Sequence, residues 1–144
     1  MYAGRDAVNP QAGNLCAKDV YKQARITNPT KDLDCAEIYV PFSWYEPMWL
    51  ENLLLAELGM GWKMTESGDT SIDGSFPVNM SGGVLSSNPI GASGLLRFGE
   101  AAQQVRNKAG GYQVNDAKLA LGHAFGGGAQ FLLRFSERNQ NGLC

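Results

Sequence analysis

Histidine is almost missing from this 144-residue chain: His123 stands alone, so any scheme needing two imidazoles, a histidine-rich metal site or a relay, is excluded within it. Cysteine is sparse too. Cys16, Cys35 and Cys144 are odd in number, widely spaced and in no C-x-x-C arrangement, so neither a disulfide framework nor a zinc site is expected and the thiols read as reduced. No apolar run approaches the ~20 residues that cross a bilayer, and Met1 to Pro10 is polar where a secretory leader would be apolar. Neither membrane insertion nor export is expected, and the chain reads as cytoplasmic. Positive charge has no stronghold: 12 Lys and Arg against 14 Asp and Glu give a formal net charge of −2 and no basic stripe, so nucleic acid is not an expected partner. Neither G-x-G-x-x-G after a strand nor a P-loop lysine occurs, which argues against nucleotide hydrolysis.

What is there suits one ordinary domain, with 44% hydrophobic and 18% charged residues and neither internal repeat nor low-complexity segment. Asn9-Pro10 predicts a helix start, after which Ala12, Leu15, Cys16, Val20 and Ala24 recur near helical period until Asn28-Pro29. Cys35 to Tyr39 reads as a short strand that Pro41 ends. Ser43 and Glu46 have capping-box spacing before the apolar run Met48 to Leu58, a second and largely buried helix. Residues 59–77 lack periodicity and read as a long loop. A further helix follows Asn88 to Gly94, with Leu95, Leu96, Phe98, Ala101, Ala102 and Val105 on one side. Ala117 to Leu121 and Gln130 to Phe135 are the last strands, joined through His123 to Gly128, and 137–144 is a tail.

Four segments in order carry a resemblance: Glu37-Ile38-Tyr39-Val40-Pro41-Phe42, Pro77-Val78-Asn79-Met80-Ser81-Gly82-Gly83, Asn88-Pro89-Ile90-Gly91-Ala92-Ser93-Gly94, and the triple glycine Gly126 to Gly128. Together, from about residue 10 to about residue 136, they resemble the C-terminal half of the thiolase superfamily. Tyr39, Asn88 and His123 look most like the sterol-carrier-type thiolases and the bacterial acetyl-CoA acetyltransferase-like proteins. The resemblance implies an α/β fold: a C-terminal thiolase-like layer, a mixed sheet with flanking helices, lacking the first strands of the half. It also implies that those strands would lie between the strand ending at Tyr39 and the final hairpin. A sheet open in its middle invites other chains, so the expected partners are further copies of this chain or a separate N-terminal thiolase half. Alternatively the chain is a piece of a longer one. Some thiolase-like branches work with zinc-ribbon/OB-fold proteins, which makes such a chain a candidate partner as well.

The implied function is that of the C-terminal portion of an acyltransferase forming or cleaving carbon–carbon bonds in acyl-CoA, with a coenzyme A thioester as substrate and no bound cofactor or metal. The family's nucleophilic cysteine belongs to the N-terminal half, so this chain is not expected to be active alone. A retro-aldolase subunit and a non-catalytic scaffold module are the alternatives. Where the family has Gly-His-Pro-x-Gly this chain has Ser87-Asn88-Pro89-Ile90-Gly91, and an amide can donate to an oxyanion but cannot shuttle a proton. Asn88 is thus a candidate oxyanion donor, or else, with Ser93, only a helix cap. At the family's second cysteine stands Ala124, with His123 one residue earlier. His123 is either a substitute base or a structural histidine facing away from the pocket, since neighbouring strand residues point oppositely. Tyr39 is an acid or carbonyl donor, or a packing residue with a wet hydroxyl. Gly82, Gly83, Pro89, Gly91, Gly126 and Gly127 are the candidate thioester-binding loop positions, or turn punctuation. Phe42 and the tryptophans Trp44, Trp49 and Trp62 are assigned to packing, and Cys16 and Cys35 to the interior.

Overall fold

The computed structural model describes residues 6–126 and 129–136, of which 129–133 and 135 are described as backbone. Gly127, Gly128, the tail 137–144 and Cys144 lie outside the described residues.

The chain builds a mixed sheet with helices on both faces. Strand β1 (Cys35–Glu37) runs parallel to β2 (Leu119–Gly126), with Cys35 opposite Ala120 and Glu37 opposite Gly122. β2 turns back antiparallel into β3 (Ala129–Ser136), from Gly126 opposite Ala129 to Leu119 opposite Ser136. The spatial order is therefore β1-β2-β3. This overturns the expected gap in the middle of the sheet, because a continuous ladder of main-chain hydrogen bonds joins β1 directly to the hairpin. Beyond β1 a single parallel bridge, Ala36 to Val78, adds a fragment of a further row. Among the described residues the open side of the sheet is the outer edge of β3.

Period-two alternation sends β2 side chains to opposite faces. Ala120 and Ala124 meet helix α6 (Ser93–Val105), while Leu121 and Phe125 join the main core on the other face. That core collects Ala36, Ile38, Trp49, Leu50, Leu53 and Phe76 around Leu121, all essentially buried. Helix α1 (Gln11–Ala24) enters it through Gly13, Ala17 and Tyr21. Leu15, expected on the buried face, is 55% exposed. Pro10 rather than Asn9 is the N-cap of α1, and the Asn9 Oδ1 instead accepts from the Asn52 amide at 2.7 Å. A short helix, α2 (Pro29–Asp32), follows.

Helix α3 (Tyr45–Asn52) buries Met48, Trp49 and Leu50 but ends before Leu53, and Leu58 is exposed. The expected capping box does not form: Ser43 makes no side-chain cap, and Glu46 Oε1 accepts from the Thr65 and Thr70 hydroxyls at 2.9 and 3.1 Å. Those bonds fasten residues 59–77, which contain a helix, α4 (Gly61–Glu66), rather than only loop. A Cβ on Gly61 would sit 2.3 Å from the Pro47 carbonyl oxygen, so α4 crosses α3 at a distance only glycine allows.

Helix α5 (Gly83–Ser86) and a 3₁₀ turn (Ile90–Ala92) lead into α6. The face α6 buries is only in part the expected one, keeping Ala101 and Val105 but not Leu95 and Leu96. Ser93, Arg97, Ala101, Gln104 and Val105 turn inward, and Leu95 and Leu96 are 73% and 41% exposed. Gln104 is held inside because its amide donates to the Tyr112 carbonyl at 2.9 Å and its Oε1 accepts from the Val114 N–H at 2.8 Å. A buried polar group so satisfied no longer opposes burial.

Candidate functional site

An open cleft of about 830 Å³ lies at the carboxyl ends of β1 and β2 and at the start of α6. Its walls come from three segments: Tyr39, Pro41, Phe42 and Tyr45 after β1; Asn88, Ile90, Gly91, Gly94, Leu95 and Phe98 before and along α6; and Ala124, Phe125 and Gly126 at the end of β2. Parallel strands present their carboxyl ends here, the usual position for ligands in open α/β sheets. Phe42, assigned to the core from sequence, is 61% exposed on the wall of this cleft. Trp44 and Trp62 are about half exposed, and only Trp49 is fully inside.

Asn88 is exposed on the cleft, and its carboxamide orientation follows from its bonds. Oδ1 accepts from the Ser93 hydroxyl at 2.5 Å and from the Ile90 N–H at 3.3 Å. The oxygen is occupied, and the hydrogens on Nδ2 are the donors left at the cleft. Behind Asn88 the start of α6 contributes the positive end of its dipole. The expected helix cap does not form: Ala92 is the N-cap of α6 with no side-chain cap bond, and the Asn88 oxygen closes a turn onto Ile90 and Ser93 instead. Ile90, between Asn88 and Gly91, has φ +48°, a left-handed backbone disfavoured for a β-branched residue, and is 81% exposed.

Tyr39 is half-buried, its ring tilted against Phe125 at 6.5 Å between centroids. Both polar groups of its peptide are held: its N–H donates to His123 Nδ1 at 3.3 Å, and its carbonyl accepts from Trp49 Nε1–H at 2.7 Å. His123 is fully buried, edge-on to Trp49 with centroids 5.0 Å apart, and is not among the residues lining the cleft. Its neighbour Ala124 faces the cleft instead. The alternation of β2 decides this.

Of the glycine-loop candidates, Gly91 and Gly126 line the cleft, whereas Gly82, Gly83 and Pro89 do not. Gly82 and Gly83 adopt φ +88° and +59° in the turn that begins α5, a backbone need. Gly94 answers a different one: a Cβ there would lie 2.5 Å from the Ala124 Cβ, so α6 rests directly on β2. Cys35 is buried under α6, and burial, with Glu37 and Asp34 nearby, pushes its thiol up to about 12. No thiolate forms there near neutrality. Among the described residues no cysteine lines the cleft, and there is no cluster of three or more His, Cys, Asp or Glu able to hold a metal ion. Nor is any described helix long and apolar enough to cross a membrane.

Beneath the cleft lies a group not singled out from sequence. Glu37 and Arg97 form an ion pair at 2.7 Å with side chains 0% and 4% exposed. Ser81 completes it: its N–H donates to Glu37 Oε1 at 3.1 Å and its hydroxyl to Oε2 at 2.9 Å, while Arg97 Nη1 donates to the Ser81 oxygen at 2.8 Å. Burial raises the Glu37 carboxyl above its usual range, opposed by Arg97 and the Ser81 donors. The available signal was an arginine on a face where the helical period called for apolar residues.

Asn88, Tyr39 and glycines from three separate segments thus meet around one cleft at the strand ends and helix start of a mixed α/β layer. The chain belongs to the thiolase C-terminal domain-like family, whose model matches residues 2–132. It is 36% identical over 128 residues to an acetyl-CoA acetyltransferase of Methanothermobacter thermautotrophicus, covering 88% of this chain and 33% of that protein. It is 37% identical over 115 residues to human sterol carrier protein 2, covering 78% of this chain and 21% of the other. With the benzoylsuccinyl-CoA thiolase subunit BbsB of Thauera aromatica it shares 31% over 128 residues, 88% of this chain and 33% of that one. Among solved structures the Ltp2-ChsH2(DUF35) aldolase superposes with a TM-score of 0.80 at 25% identity, covering 96% of this chain and 35% of that one. The chain spans about a third or less of the length of these relatives.

Proposed function

We propose that this domain supplies the donor side of an acyl-CoA site at which a carbon–carbon bond is formed or cleaved, the nucleophile coming from another chain or another part of the same protein. The observation that carries the reading is Asn88: its Oδ1 is tied to Ser93 and Ile90, so Nδ2 is the group presented to the cleft. In such a site the thioester carbonyl lies against Nδ2 and the start of α6, where developing negative charge meets hydrogen-bond donors and the helix dipole. Tyr39 supplies a second donor across the cleft, and Ile90, Leu95 and Phe98 provide apolar wall for an acyl group. His123 acts from behind, holding the Tyr39 backbone rather than exchanging protons with substrate. Partners in this reading are an N-terminal thiolase half or further copies of the chain, with a zinc-ribbon/OB-fold protein as a third candidate.

The test is acyl transfer from acetyl-CoA, measured after combining this chain with one carrying the family's cysteine half. Asn88→Ala is expected to lower kcat roughly 10²-fold, the loss typical of an oxyanion donor. Asn88→Asp should do no better, because a carboxylate repels the oxyanion. A kcat within twofold of the parent in both variants would remove Asn88 from the site.

A second reading, a retro-aldolase subunit, is favoured by two observations: the likeness to the aldolase named above, and Ala124 on the cleft wall where a proton-transferring side chain is absent. There the Tyr39 hydroxyl serves as the acid–base group, and the substrate is a β-hydroxyacyl thioester. Cleavage without added coenzyme A marks the aldolase, and cleavage that needs it marks the acyltransferase. No turnover of either substrate by the combined chains would leave a non-catalytic module.

A further inference from the structure

The Glu37–Arg97 pair is not where a domain of this size gains stability. Removing two charges from water costs several kcal/mol each, and replacing such a pair by apolar side chains is often neutral or stabilising. The surroundings would accept that replacement: Cys35, Ala101, Val105 and Ala120 form an apolar cluster in the same layer between α6 and the sheet. The pair offers direction instead. Arg97 Nη1 bridges Glu37 Oε2 and the Ser81 hydroxyl at 2.7 and 2.8 Å, and the Ser81 N–H and hydroxyl occupy both carboxylate oxygens. Arg97 Nε is buried without a hydrogen-bond partner, so the directional contacts of the guanidinium are those of Nη1. The neighbouring Gly94–Ala124 contact is flat, so it sets how close α6 comes to β2 but not where α6 stops along its own axis.

The connections of the network lead to the cleft. Glu37 ends β1, and Tyr39 follows two residues later on the segment that runs on to the cleft. Arg97 lies one helical turn after Ser93, whose hydroxyl holds Asn88 Oδ1. The turn bearing Ser81 is itself pinned to β1, since the Ile38 N–H donates to Asn79 Oδ1 at 2.7 Å. We propose that Arg97 is a positioning residue: by locking α6 to Glu37 and Ser81 it sets the register of α6 against β1, and with it the separation between the Asn88 amide and the Tyr39 hydroxyl. This rests on the reading of those two groups as the donors of the site.

The experiment is nuclear magnetic resonance on the full chain, following the Asn88 Nδ2 hydrogens, assigned through Asn88→Asp, with the Trp62 indole N–H, which donates to the Gly59 carbonyl at 3.1 Å, as a reporter away from the network. In Glu37→Leu/Arg97→Met, which removes both charges, the fold and the Trp62 signal should persist while the Asn88 pair shifts or broadens. Arg97→Lys, which keeps the charge but loses the planar fork, should fall between. An Asn88 pair at its parental position in the folded double variant overturns the proposal. So does a double variant that cannot fold, because the pair would then be a stability element. Acetyl-CoA titrated into the parent separates this from the functional reading: no response of the Asn88 signals disproves the site but leaves the positioning result standing. If both hold, the double variant should bind acetyl-CoA about tenfold more weakly, a change of about 1.4 kcal/mol.

Discussion

Two glycines of α6, five residues apart, should respond in opposite directions to the same added methyl group. At Gly94 the new Cβ would lie 2.5 Å from the Ala124 Cβ, where carbon atoms settle at roughly 3.5–4.0 Å, so α6 has to lift by roughly 1 Å. Both atoms are attached directly to backbone, and no side-chain rotation relieves the clash. Overpacking of this kind costs about 1–3 kcal/mol, offset by part of the roughly 1 kcal/mol that alanine gains over glycine in a helix. A net loss of about 1–2 kcal/mol lowers Tm by roughly 3–6 °C in a chain of this size. At Gly99 nothing lies within 4 Å of the added Cβ, and Gly99→Ala should raise Tm by roughly 3 °C through helix propensity alone. Thermal unfolding followed by circular dichroism reads both. Gly94→Ala combined with Ala124→Gly should recover much of the overpacking loss, with a coupling of about 1 kcal/mol in a double-mutant cycle. The reasoning fails if Gly94→Ala stabilises as Gly99→Ala does, or if the paired changes are simply additive.

Cys35 supplies a pH test. Its thiol, ordinarily near 9, is pushed to about 12 by burial, so between those values the unfolded chain has lost a proton that the folded chain keeps. Stability should fall as pH rises through that window, by up to about 1.4 kcal/mol per pH unit. Urea unfolding of the parent and Cys35→Ala from pH 8 to 11 should show a shallower decline in the variant, and parallel declines would contradict it. Ile90→Gly should relieve a left-handed backbone, and with glycine's entropy cost deducted the gain is roughly 0.5–1 kcal/mol. A loss above about 1 kcal/mol, the size of an ordinary helix-interior glycine penalty, would show that Ile90 is unstrained. Tyr21→Phe removes a hydroxyl donating to the buried Leu53 carbonyl at 2.8 Å and should cost about 1 kcal/mol, read from the urea midpoint.

The features legible in the sequence were those carried by contiguous residues. The segments ending at Tyr39, around Asn88 and at the Gly126 bend were each recognisable, and they converge on one cleft. What could not be read involved partners far away along the chain. Leu95 and Leu96 looked like the buried side of α6 by hydropathy, yet Arg97 is inside because Glu37, sixty residues earlier, neutralises it there. The strand order likewise depends on which edges meet, and no local pattern near Cys35 states that its neighbour is Ala120. Ser43 and Glu46 had the spacing of a cap, but Thr65 and Thr70 reach Glu46 from outside the helix. Helix α4 went unread because its close crossing at Gly61 is visible only as a distance to Pro47. Phe42 had the chemistry of an interior residue and stands on the cleft wall, where an apolar surface faces solvent.

The peptide unit of Tyr39 is gripped at both ends by aromatic nitrogens, His123 accepting on one side and Trp49 donating on the other. A phenol mounted on so stiff a stem keeps only torsions of its own side chain. If the cleft takes an acyl group as proposed, fitting groups of different girth falls to the opposite lip, where Ile90 has a left-handed backbone and stands out into water.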